Sequence, residues 1–185
     1  ALRRQEELKR LLATDTAAWP AKLGARGWHE LVPLARGWQM SVPRIAPLVE
    51  RELAEACQWK VPRRFCLRDI WCDHMLFLGD KVSGVIDFGA AGWDSFATDI
   101  ARLLPSLCGD DASASSDAVA AYEAIRPLTD RERQLIDILD RSAILLGPAL
   151  WFRWIADERR DFRDRDAVIQ RVREMIARLV GRTWS

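Results

Sequence analysis

Two carboxylates and one imidazole in the middle of the chain have the types and spacing of a metal or acid–base site. Asp69 lies five residues before His74, and Asp87 closes the segment that follows. Residues 75–78 and 82–87 are two short apolar stretches around a Gly-Asp turn, a pattern that predicts a β-hairpin. Because a hairpin returns its second strand to the start of its first, we expect Asp87 to lie near His74. Such a set can hold a divalent cation and leave one carboxylate free as a general base.

The charge distribution is consistent with a cation site in this region. Residues 69–117 contain nine aspartates, no glutamate and two basic residues, whereas residues 1–68 carry 13 basic against 7 acidic side chains. A block of aspartates between basic or neutral segments suggests that the protein holds a metal ion or another cation. Aspartates also serve as turn and helix-cap residues, so a set of caps is the alternative explanation from composition alone.

The motifs around these residues resemble a known family. Leu67-Arg68-Asp69 is followed by His74, then by Val85-Ile86-Asp87-Phe88-Gly89, and then by Asp99-Ile100-Ala101. Together they resemble the C-terminal lobe of the aminoglycoside phosphotransferase and choline kinase-like enzymes, which are relatives of the protein kinases. In that family a His-Gly-Asp-x4-Asn catalytic loop precedes a hairpin that ends in Ile-Asp-Phe or Ile-Asp-Trp. A later Asp, before Leu-Ala or Ile-Ala, braces the loop.

The resemblance implies both a fold and an activity. The fold would be α+β and mostly α-helical: a protein-kinase-like C-terminal lobe whose central β-hairpin carries the catalytic and metal-binding loops. The activity would be that of an enzyme that uses ATP and Mg²⁺ to phosphorylate a hydroxyl of a small molecule. Phosphoryl transfer asks little covalent chemistry of the protein, because it depends on an aligned acceptor oxygen and on cationic charge beside the transferring group.

By this resemblance each candidate residue has a role. Asp69 would be the catalytic base that orients the acceptor hydroxyl, and Asp87 would bind the Mg²⁺ that bridges the nucleotide phosphates. His74 occupies the position of the family's asparagine and would be the second metal ligand. Asp99 would brace the catalytic loop. The pattern names no further nucleotide-binding residue.

Three positions depart from the family pattern. Leu67 and Arg68 stand where the family has His and Gly, which makes the loop more like the His-Arg-Asp of protein kinases. His74 replaces the Asn, and imidazole suits softer metals better than Mg²⁺. Asp73 is an alternative oxygen ligand, although adjacent residues of a strand point to opposite faces. These departures support a second hypothesis, a catalytically degenerate kinase-like module that binds a ligand or partner without phosphoryl transfer.

The family's ATP-binding lobe has no counterpart in this sequence. Residues 1–64 contain neither a Val-x-Lys strand followed by an acidic helix residue nor a Gly-x-Gly-x-x-Gly loop. The first residue is not Met, so we expect the chain to begin partway through a longer protein, with an N-terminal kinase lobe as the missing partner. The chain alone is then expected to bind nucleotide weakly. The acceptor is a small molecule that the sequence does not identify.

The overall composition excludes several classes of function. The 185 residues include 28 Lys and Arg against 27 Asp and Glu, too small an excess for a nucleic-acid-binding protein that relies on bulk charge. No apolar run approaches the roughly 18 residues of a membrane span, and the N-terminus has no apolar segment behind its charges. The four cysteines include no Cys-x-x-Cys pair, which favours a reduced, cytoplasmic protein.

We predict a single domain over residues 1–185, in which three regions have different roles. Residues 1–64 form a helical region that leads into the catalytic loop. Residues 65–104 contain the catalytic loop, the hairpin and the metal loop, and residues 113–185 form the C-terminal helices. The stretch 98–107 is predicted to be the helix that carries Asp99.

Helix limits in the N-terminal third are set by proline. The prolines and glycines between residues 19 and 47 predict only short helices there. A longer helix is therefore predicted to begin after Pro43 or Pro47 and to run to Cys57, because apolar residues recur at helical spacing along that stretch.

The C-terminal half is predicted to be helical, with limits set by capping and breaking residues. Ser113–Ser116 is predicted to be a small-residue linker. Thr129 and Glu132 match a capping box at the start of the next helix. Gly147-Pro148 is predicted to break or kink that helix, and the final helix is predicted to begin at about Asp166.

Tryptophan is abundant, and Trp71 and Trp93 flank the predicted site. Such side chains can line an acceptor pocket or stack on a cation. Trp151 and Trp154 have helical spacing far from any candidate site, so packing in the core is the preferred interpretation for all four.

Overall fold

A computed structural model describes residues 1–184 of the protein, which divide into two compact units. The first unit contains residues 1–57 and the segment from Arg141 onward, and the second contains Gln58–Asp140. The helices are α1 Leu2–Leu12, α2 Trp19–Ala25, α3 Leu31–Ala56, α4 Phe96–Cys108, α5 Ala112–Ile125, α6 Asp130–Ala156 and α7 Arg165–Gly181. The strands are β1 Arg64–Cys66, β2 Met75–Leu78, β3 Lys81–Val85 and β4 Gly92–Asp94, and a short 3-10 helix covers Cys72–His74.

The element content is that of a mostly helical α+β protein, as predicted. That the whole of residues 1–185 forms one domain stays a prediction. Within the part of the chain that the structure describes, no helix is long and apolar enough to cross a membrane.

Three aromatic side chains form the centre of the first unit. Trp19, Trp38 and Phe152 are fully buried, and their rings lie 5.6 to 6.1 Å apart between centroids. Burial of a large apolar side chain of this kind contributes roughly 1.5–3 kcal/mol. The indole N–H groups are also bonded, because Trp19 Nε1 donates to Asp157 Oδ2 at 2.8 Å and Trp38 Nε1 donates to the carbonyl of Leu145 at 2.9 Å. The two buried indoles are therefore satisfied in their hydrogen bonds.

Helix α2 is short, as predicted for the region between residues 19 and 47. Helix α3 runs continuously through Pro43 and Pro47, so the prediction that a longer helix begins only after one of these prolines was wrong. A proline inside a helix lacks the N–H that would bond to the carbonyl four residues earlier, at a cost of about 3 kcal/mol. Both prolines are exposed, so the carbonyls that they leave unpaired can bond to water. The buried face of α3 offsets the cost with apolar side chains in the core: Leu31, Ala35, Trp38, Ile45, Val49 and Leu53.

Helix α6 continues through Gly147-Pro148, so the predicted break does not occur, whereas the alternative of a kink stays a prediction. Gly147 allows α7 to approach, because a Cβ at this position would lie 3.3 Å from the sulfur of Met175. Trp38 Nε1 bonds to the carbonyl of Leu145 in the same turn. Tertiary contacts thus hold a segment that local propensity alone would have interrupted.

The start of helix α5 was predicted wrongly, whereas the start of helix α6 was predicted correctly. Helix α5 begins at Ala112, so it includes the residues that were predicted to be a linker. The reason is that Asp111 is the N-cap, since its carboxylate accepts a hydrogen bond from the N–H of Ala114 at 3.0 Å. The capping box before α6 is confirmed. Thr129 Oγ1 accepts from the Glu132 N–H at 3.2 Å, and Glu132 Oε2 accepts from the Thr129 N–H at 2.9 Å.

Four short strands of the second unit form two antiparallel pairs. The hairpin of β2 and β3 is confirmed, with Met75 opposite Val85 and a turn in which Gly79 has a φ of 59°. Strands β1 and β4 pair with Cys66 opposite Gly92. The sequence did not predict this second pair, since strands of three residues are too short to show an alternating pattern. The pair brings the loop after β1 close to the start of α4.

Candidate active site

One face of helix α4 holds the loop that carries Asp69. Asp99, Arg102 and Ser106 are three and four residues apart, so they lie on the same side of the helix. Asp99 accepts hydrogen bonds from the backbone N–H groups of Leu67 and Arg68, at 2.9 and 2.6 Å. Ser106 Oγ accepts from the backbone N–H of Cys72 at 3.0 Å, and the Arg102 guanidinium contacts the carboxylate of Asp69 between those two points.

Asp99 has the geometry of the brace that the resemblance implies. Its carboxylate bonds to two consecutive backbone N–H groups and so fixes the direction of the chain just before Asp69. Burial raises the pKa of Asp99, and the nearby charge of Asp94 raises it further, while the two N–H groups act in the opposite direction. The loss of hydration on burial is therefore offset in part by the two hydrogen bonds that hold the loop.

Arg68 adopts a left-handed backbone conformation, with a φ of 66°. This region is costly for a residue with a Cβ and nearly free for glycine. The family's usual glycine at this position is therefore explained by the backbone, and Arg68 introduces strain. Its side chain lies over Gly92, where a Cβ would be 2.8 Å from Arg68 Nη1, and its Nε lies 3.9 Å from Asp94 Oδ2.

His74 bonds to the backbone of Asp69. Its Nδ1 lies 2.9 Å from the carbonyl oxygen of Asp69, and its Nε2 lies 2.7 Å from Nε1 of Trp71. An indole nitrogen is only a donor, so His74 Nε2 is the acceptor and carries no proton. The proton is then on Nδ1, which donates to Asp69. His74 thus supports the backbone of the candidate base, and its side chain is 14% exposed.

Asp87 ends the hairpin beside the same imidazole. Its Oδ2 lies 3.7 Å from His74 Nε2, and its side chain is 59% exposed. Its φ of 63° is left-handed, a conformation that Asp and Asn tolerate better than most residues. Its Oδ1 accepts from the N–H of Gly89 at 3.4 Å. The backbone N–H of Ile86 bonds to the carbonyl of His74 at 2.9 Å, which fixes this end of the hairpin next to the loop.

The donor atoms fit a Mg²⁺ ion, which Asp87 would hold as the main protein ligand. Within residues 1–184, no group of three or more His, Cys, Asp or Glu side chains is arranged to hold a metal. Mg²⁺ usually keeps several waters and takes one or two protein carboxylates together with substrate phosphates, so an exposed carboxylate suits it. Coordination by His74 Nε2 would first require the loss of the hydrogen bond from Trp71. Asp73 is exposed, and its Oδ1 lies 3.3 Å from the sulfur of Cys72.

Cys66, at the end of β1, is placed near the loop but is not a nucleophile at neutral pH. Burial raises the pKa of its thiol to about 11, and the charges of Asp99 and Asp94 raise it as well. The thiol lies 3.3 Å from the carbonyl oxygen of Asp94. Cys66 is therefore a buried, protonated side chain that contacts the backbone of the paired strand β4.

Arg102 was not among the residues predicted from sequence. Its Nη2 contacts Asp69 Oδ1, and the side chains of Arg102 and Asp69 are 43% and 46% exposed. A signal was present, because Lys81 and Arg102 are the only lysine or arginine residues in the acidic stretch 69–117. Arg102 also follows Asp99 by three residues on the predicted helix, a spacing that places both on one face.

Trp71 and Trp93, the tryptophans near the site, were predicted to pack in the core, and this prediction was wrong. Trp93 is 63% exposed on β4, and half-buried Trp71 bonds to His74. Trp93 belongs to a set of exposed apolar side chains on the strands and the segment after β3, which we call the apolar hairpin surface: Phe65, Leu76, Phe77, Leu78, Val82, Ile86, Phe88 and Trp93. Each of these side chains is at least 45% exposed.

Two curated relatives to which the chain is similar are both named homoserine kinase. The chain is 36% identical over 132 residues to a homoserine kinase of Gluconacetobacter diazotrophicus, and this match covers 65% of the chain and 41% of the relative. It is 33% identical over 135 residues to a homoserine kinase of Methylobacterium sp. strain 4-46, covering 68% of this chain and 42% of the relative. The chain therefore spans about two fifths of the length of these relatives. No solved structure matches it.

A family model agrees with the motifs around Asp69 and Asp87. The model of the phosphotransferase enzyme family matches residues 1–136, which include the loop, the hairpin and helices α4 and α5. The match extends over most of the chain and over all of the candidate site. The chain therefore belongs to this phosphotransferase family, the aminoglycoside phosphotransferase and choline kinase-like group that its motifs resemble.

Proposed function

We propose that the chain is the catalytic part of an ATP-dependent phosphotransferase that acts on a hydroxyl of a small molecule. One observation carries the proposal: a single imidazole connects the two carboxylate-bearing positions. His74 bonds to the backbone of Asp69 through Nδ1, and its Nε2 lies 3.7 Å from Asp87 Oδ2. A base and a metal-binding carboxylate held at this range are what in-line transfer to a hydroxyl needs.

Asp69 is the proposed base. Its exposed carboxylate can accept the hydrogen of an acceptor hydroxyl and direct that oxygen toward the transferring phosphoryl group. Asp99, Ser106 and His74 hold its backbone from two sides, so the carboxylate keeps its direction without substrate. Such preorganisation reduces the entropy lost when the acceptor is aligned.

Asp87 is the proposed Mg²⁺ ligand, with His74 as the second. Bound Mg²⁺ supplies positive charge that neutralises the phosphate oxygens during transfer. Asp87 is suited to this role because its carboxylate is exposed and its backbone is fixed by the hairpin. His74 takes part only if its Nε2 exchanges the Trp71 N–H for the ion.

Homoserine, or a closely similar hydroxy amino acid, is the proposed acceptor. The relatives reported above are named homoserine kinases, whereas no comparison supports an aminoglycoside acceptor. The contact of Arg102 with Asp69 agrees with this choice, because a cation on the candidate base opposes a polycationic aminoglycoside.

A nucleotide-binding lobe is the proposed partner of the apolar hairpin surface. The chain spans about two fifths of the length of its relatives, so a complete protein of that kind has room for such a lobe. Contact with a lobe would bury the apolar side chains that the hairpin exposes. The alternative, a kinase-like module that binds a ligand without transfer, is favoured by Leu67, Arg68 and His74 at positions where the family has other residues.

The test is ADP formation that depends on L-homoserine, measured with the chain joined to the part of the Gluconacetobacter homoserine kinase that precedes the matched region. Asp69→Asn should abolish turnover and leave the circular dichroism spectrum unchanged. Asp80→Asn, which neutralises an exposed aspartate in the hairpin turn, is the matched control and should retain turnover. Unchanged turnover in Asp69→Asn would contradict the assignment of the base. No turnover and no Mg²⁺-dependent ATP binding by the unmodified protein would favour the binding module.

A further inference from the structure

Arg102 is an unusual cation in an acidic setting. The stretch 69–117 contains nine aspartates, and Lys81 and Arg102 are its only lysine or arginine residues. Lys81 is exposed on the hairpin, whereas Arg102 Nη2 contacts Oδ1 of the candidate base Asp69. The one arginine of this stretch therefore lies where the acceptor hydroxyl is proposed to bind.

The contact is not needed to hold the loop. Asp99 and Ser106, on the same face of α4, already bond to the backbone before and after Asp69. The pair of Arg102 and Asp69 is exposed by 43% and 46%, and exposed ion pairs contribute little to stability. An incoming anion can therefore take over part of the Arg102 guanidinium at small cost.

The guanidinium is also suited to a particular ligand chemistry. It carries five N–H donors in a planar fork that matches a carboxylate, and a single contact with Asp69 leaves donors free for a second partner. A carboxylate brought next to Asp69 without a cation would be repelled, because the two charges have the same sign. With Arg102 between them, an anionic acceptor is accommodated and a cationic one is disfavoured.

We propose that Arg102 binds the carboxylate of an amino-acid acceptor while the hydroxyl of that acceptor faces Asp69. The inference rests on the proposed function, because it assigns the acceptor class of the same site. It makes Arg102 the residue that separates hydroxy amino acids from neutral and cationic hydroxyl compounds. A hydroxyl and a carboxylate separated by three carbons, as in homoserine, can contact a base and a guanidinium that touch each other.

The test compares two ligands that differ only in the carboxylate. Binding of L-homoserine and of its reduced analogue 2-amino-1,4-butanediol is measured by calorimetry with this chain and its variants. The unmodified chain should prefer homoserine, and Arg102→Gln should weaken homoserine binding by about tenfold or more while leaving the diol unchanged. Arg102→Lys should recover part of the affinity, because it keeps the charge but not the fork. Lys81→Gln, which removes the other cation of the stretch, should change neither ligand.

Three outcomes would overturn the inference. The first is equal binding of homoserine by the unmodified chain and by Arg102→Gln. The second is an equal loss of both ligands in Arg102→Gln at unchanged thermal stability, which would place Arg102 at a group common to both. The third is no binding of homoserine to the unmodified chain.

Phosphoryl transfer separates this inference from the proposed function. In one outcome, homoserine binding depends on Arg102 while the extended protein, in which the chain is joined to the preceding part of the Gluconacetobacter homoserine kinase, transfers no phosphoryl group from ATP. That result would contradict the proposed function and support the carboxylate site. Equal transfer to homoserine and to the diol would support the proposed function and contradict the carboxylate site.

Discussion

His74 donates from Nδ1 to the carbonyl oxygen of Asp69 at 2.9 Å, and Trp71 fixes the ring by donating to its other nitrogen. In the family pattern an asparagine occupies this position, and its amide can donate to a carbonyl and offer an oxygen to a metal at the same time. An imidazole has one atom for each task, and here the second atom is engaged by Trp71. Whether His74 binds metal is therefore decided by the Trp71 hydrogen bond.

Substitution Trp71→Phe should reveal this competition. It removes the indole N–H and frees His74 Nε2, which lies 3.7 Å from Asp87. If His74 is the second metal ligand, Mn²⁺, which accepts nitrogen ligands, should bind more tightly to Trp71→Phe than to the unmodified chain in a calorimetric titration. Trp93→Phe, on an exposed strand position, is the matched control and should leave the affinity unchanged. Equal Mn²⁺ affinity in all three proteins would remove His74 from the metal site.

Substitution Asp87→Asn should separate the charge of this residue from its backbone role. Asn tolerates the left-handed conformation that Asp87 adopts, so the hairpin should fold as before. The loss of the carboxylate should weaken Mn²⁺ binding and abolish transfer in the extended protein, because a hard cation needs the anionic oxygen. The thermal midpoint of unfolding should be the same in Asp87→Asn and in the unmodified chain. It should be lower in Asp87→Ala, because a positive φ is less favourable for alanine than for Asp or Asn. Retained Mn²⁺ binding in Asp87→Asn would contradict the metal assignment.

The sequence predicted the hairpin and the relation of Asp87 to His74 for a physical reason. Both depend on contacts between residues near in the chain: two apolar stretches, a Gly79-Asp80 turn and the fixed geometry of a two-residue connection. The capping box at Thr129 and Glu132 is local in the same sense.

The wrong predictions concern positions where distant contacts decide. Pro43 and Pro47 interrupt a helix by local rules, but the buried face of α3 keeps that helix intact. The pairing of β1 with β4 and the contact of Arg102 with Asp69 join residues about 30 positions apart. No local pattern encodes either contact. The charge count of the acidic stretch is a signal that could have drawn attention to Arg102, but only the fold shows what it contacts.

Substitution Arg68→Gly should stabilise the chain. Arg68 has a φ of 66°, and the left-handed region costs a residue with a Cβ about 1 kcal/mol relative to glycine. The contact that would be lost, with Asp94 at 3.9 Å, is partly exposed and weak. Urea unfolding should therefore give a free energy of unfolding higher by up to about 1 kcal/mol. Arg68→Ala keeps the strain and loses the contact, so it should be less stable than Arg68→Gly, and the opposite order would contradict the strain argument.

Glu132 should make the stability of the second unit depend on acid pH. Its side chain is buried, which by itself opposes ionisation, but hydrogen bonds from Arg126 at 2.8 Å and from Thr129 outweigh burial and lower the pKa of Glu132. A carboxyl whose pKa is lower in the folded state stabilises that state above its unfolded pKa, here 4.5. The contribution is lost as the pH falls from there through the pKa of the folded state.

The comparison of Glu132→Gln with the unmodified chain measures this contribution directly. At pH 7 the glutamine variant should unfold at lower urea concentration, with a loss of about 1–2 kcal/mol, because Arg126 loses its charged partner and the cap loses an acceptor. As the pH falls below 4.5, the two unfolding curves should converge, because Glu132 then becomes neutral in the unmodified chain too. Glu123→Gln, which removes a carboxylate that bonds to Arg133 at the surface of the same region, should show a smaller difference at pH 7. A gap for Glu132→Gln that stays constant down to low pH would show that the side chain stabilises the cap by shape and hydrogen bonding rather than by charge.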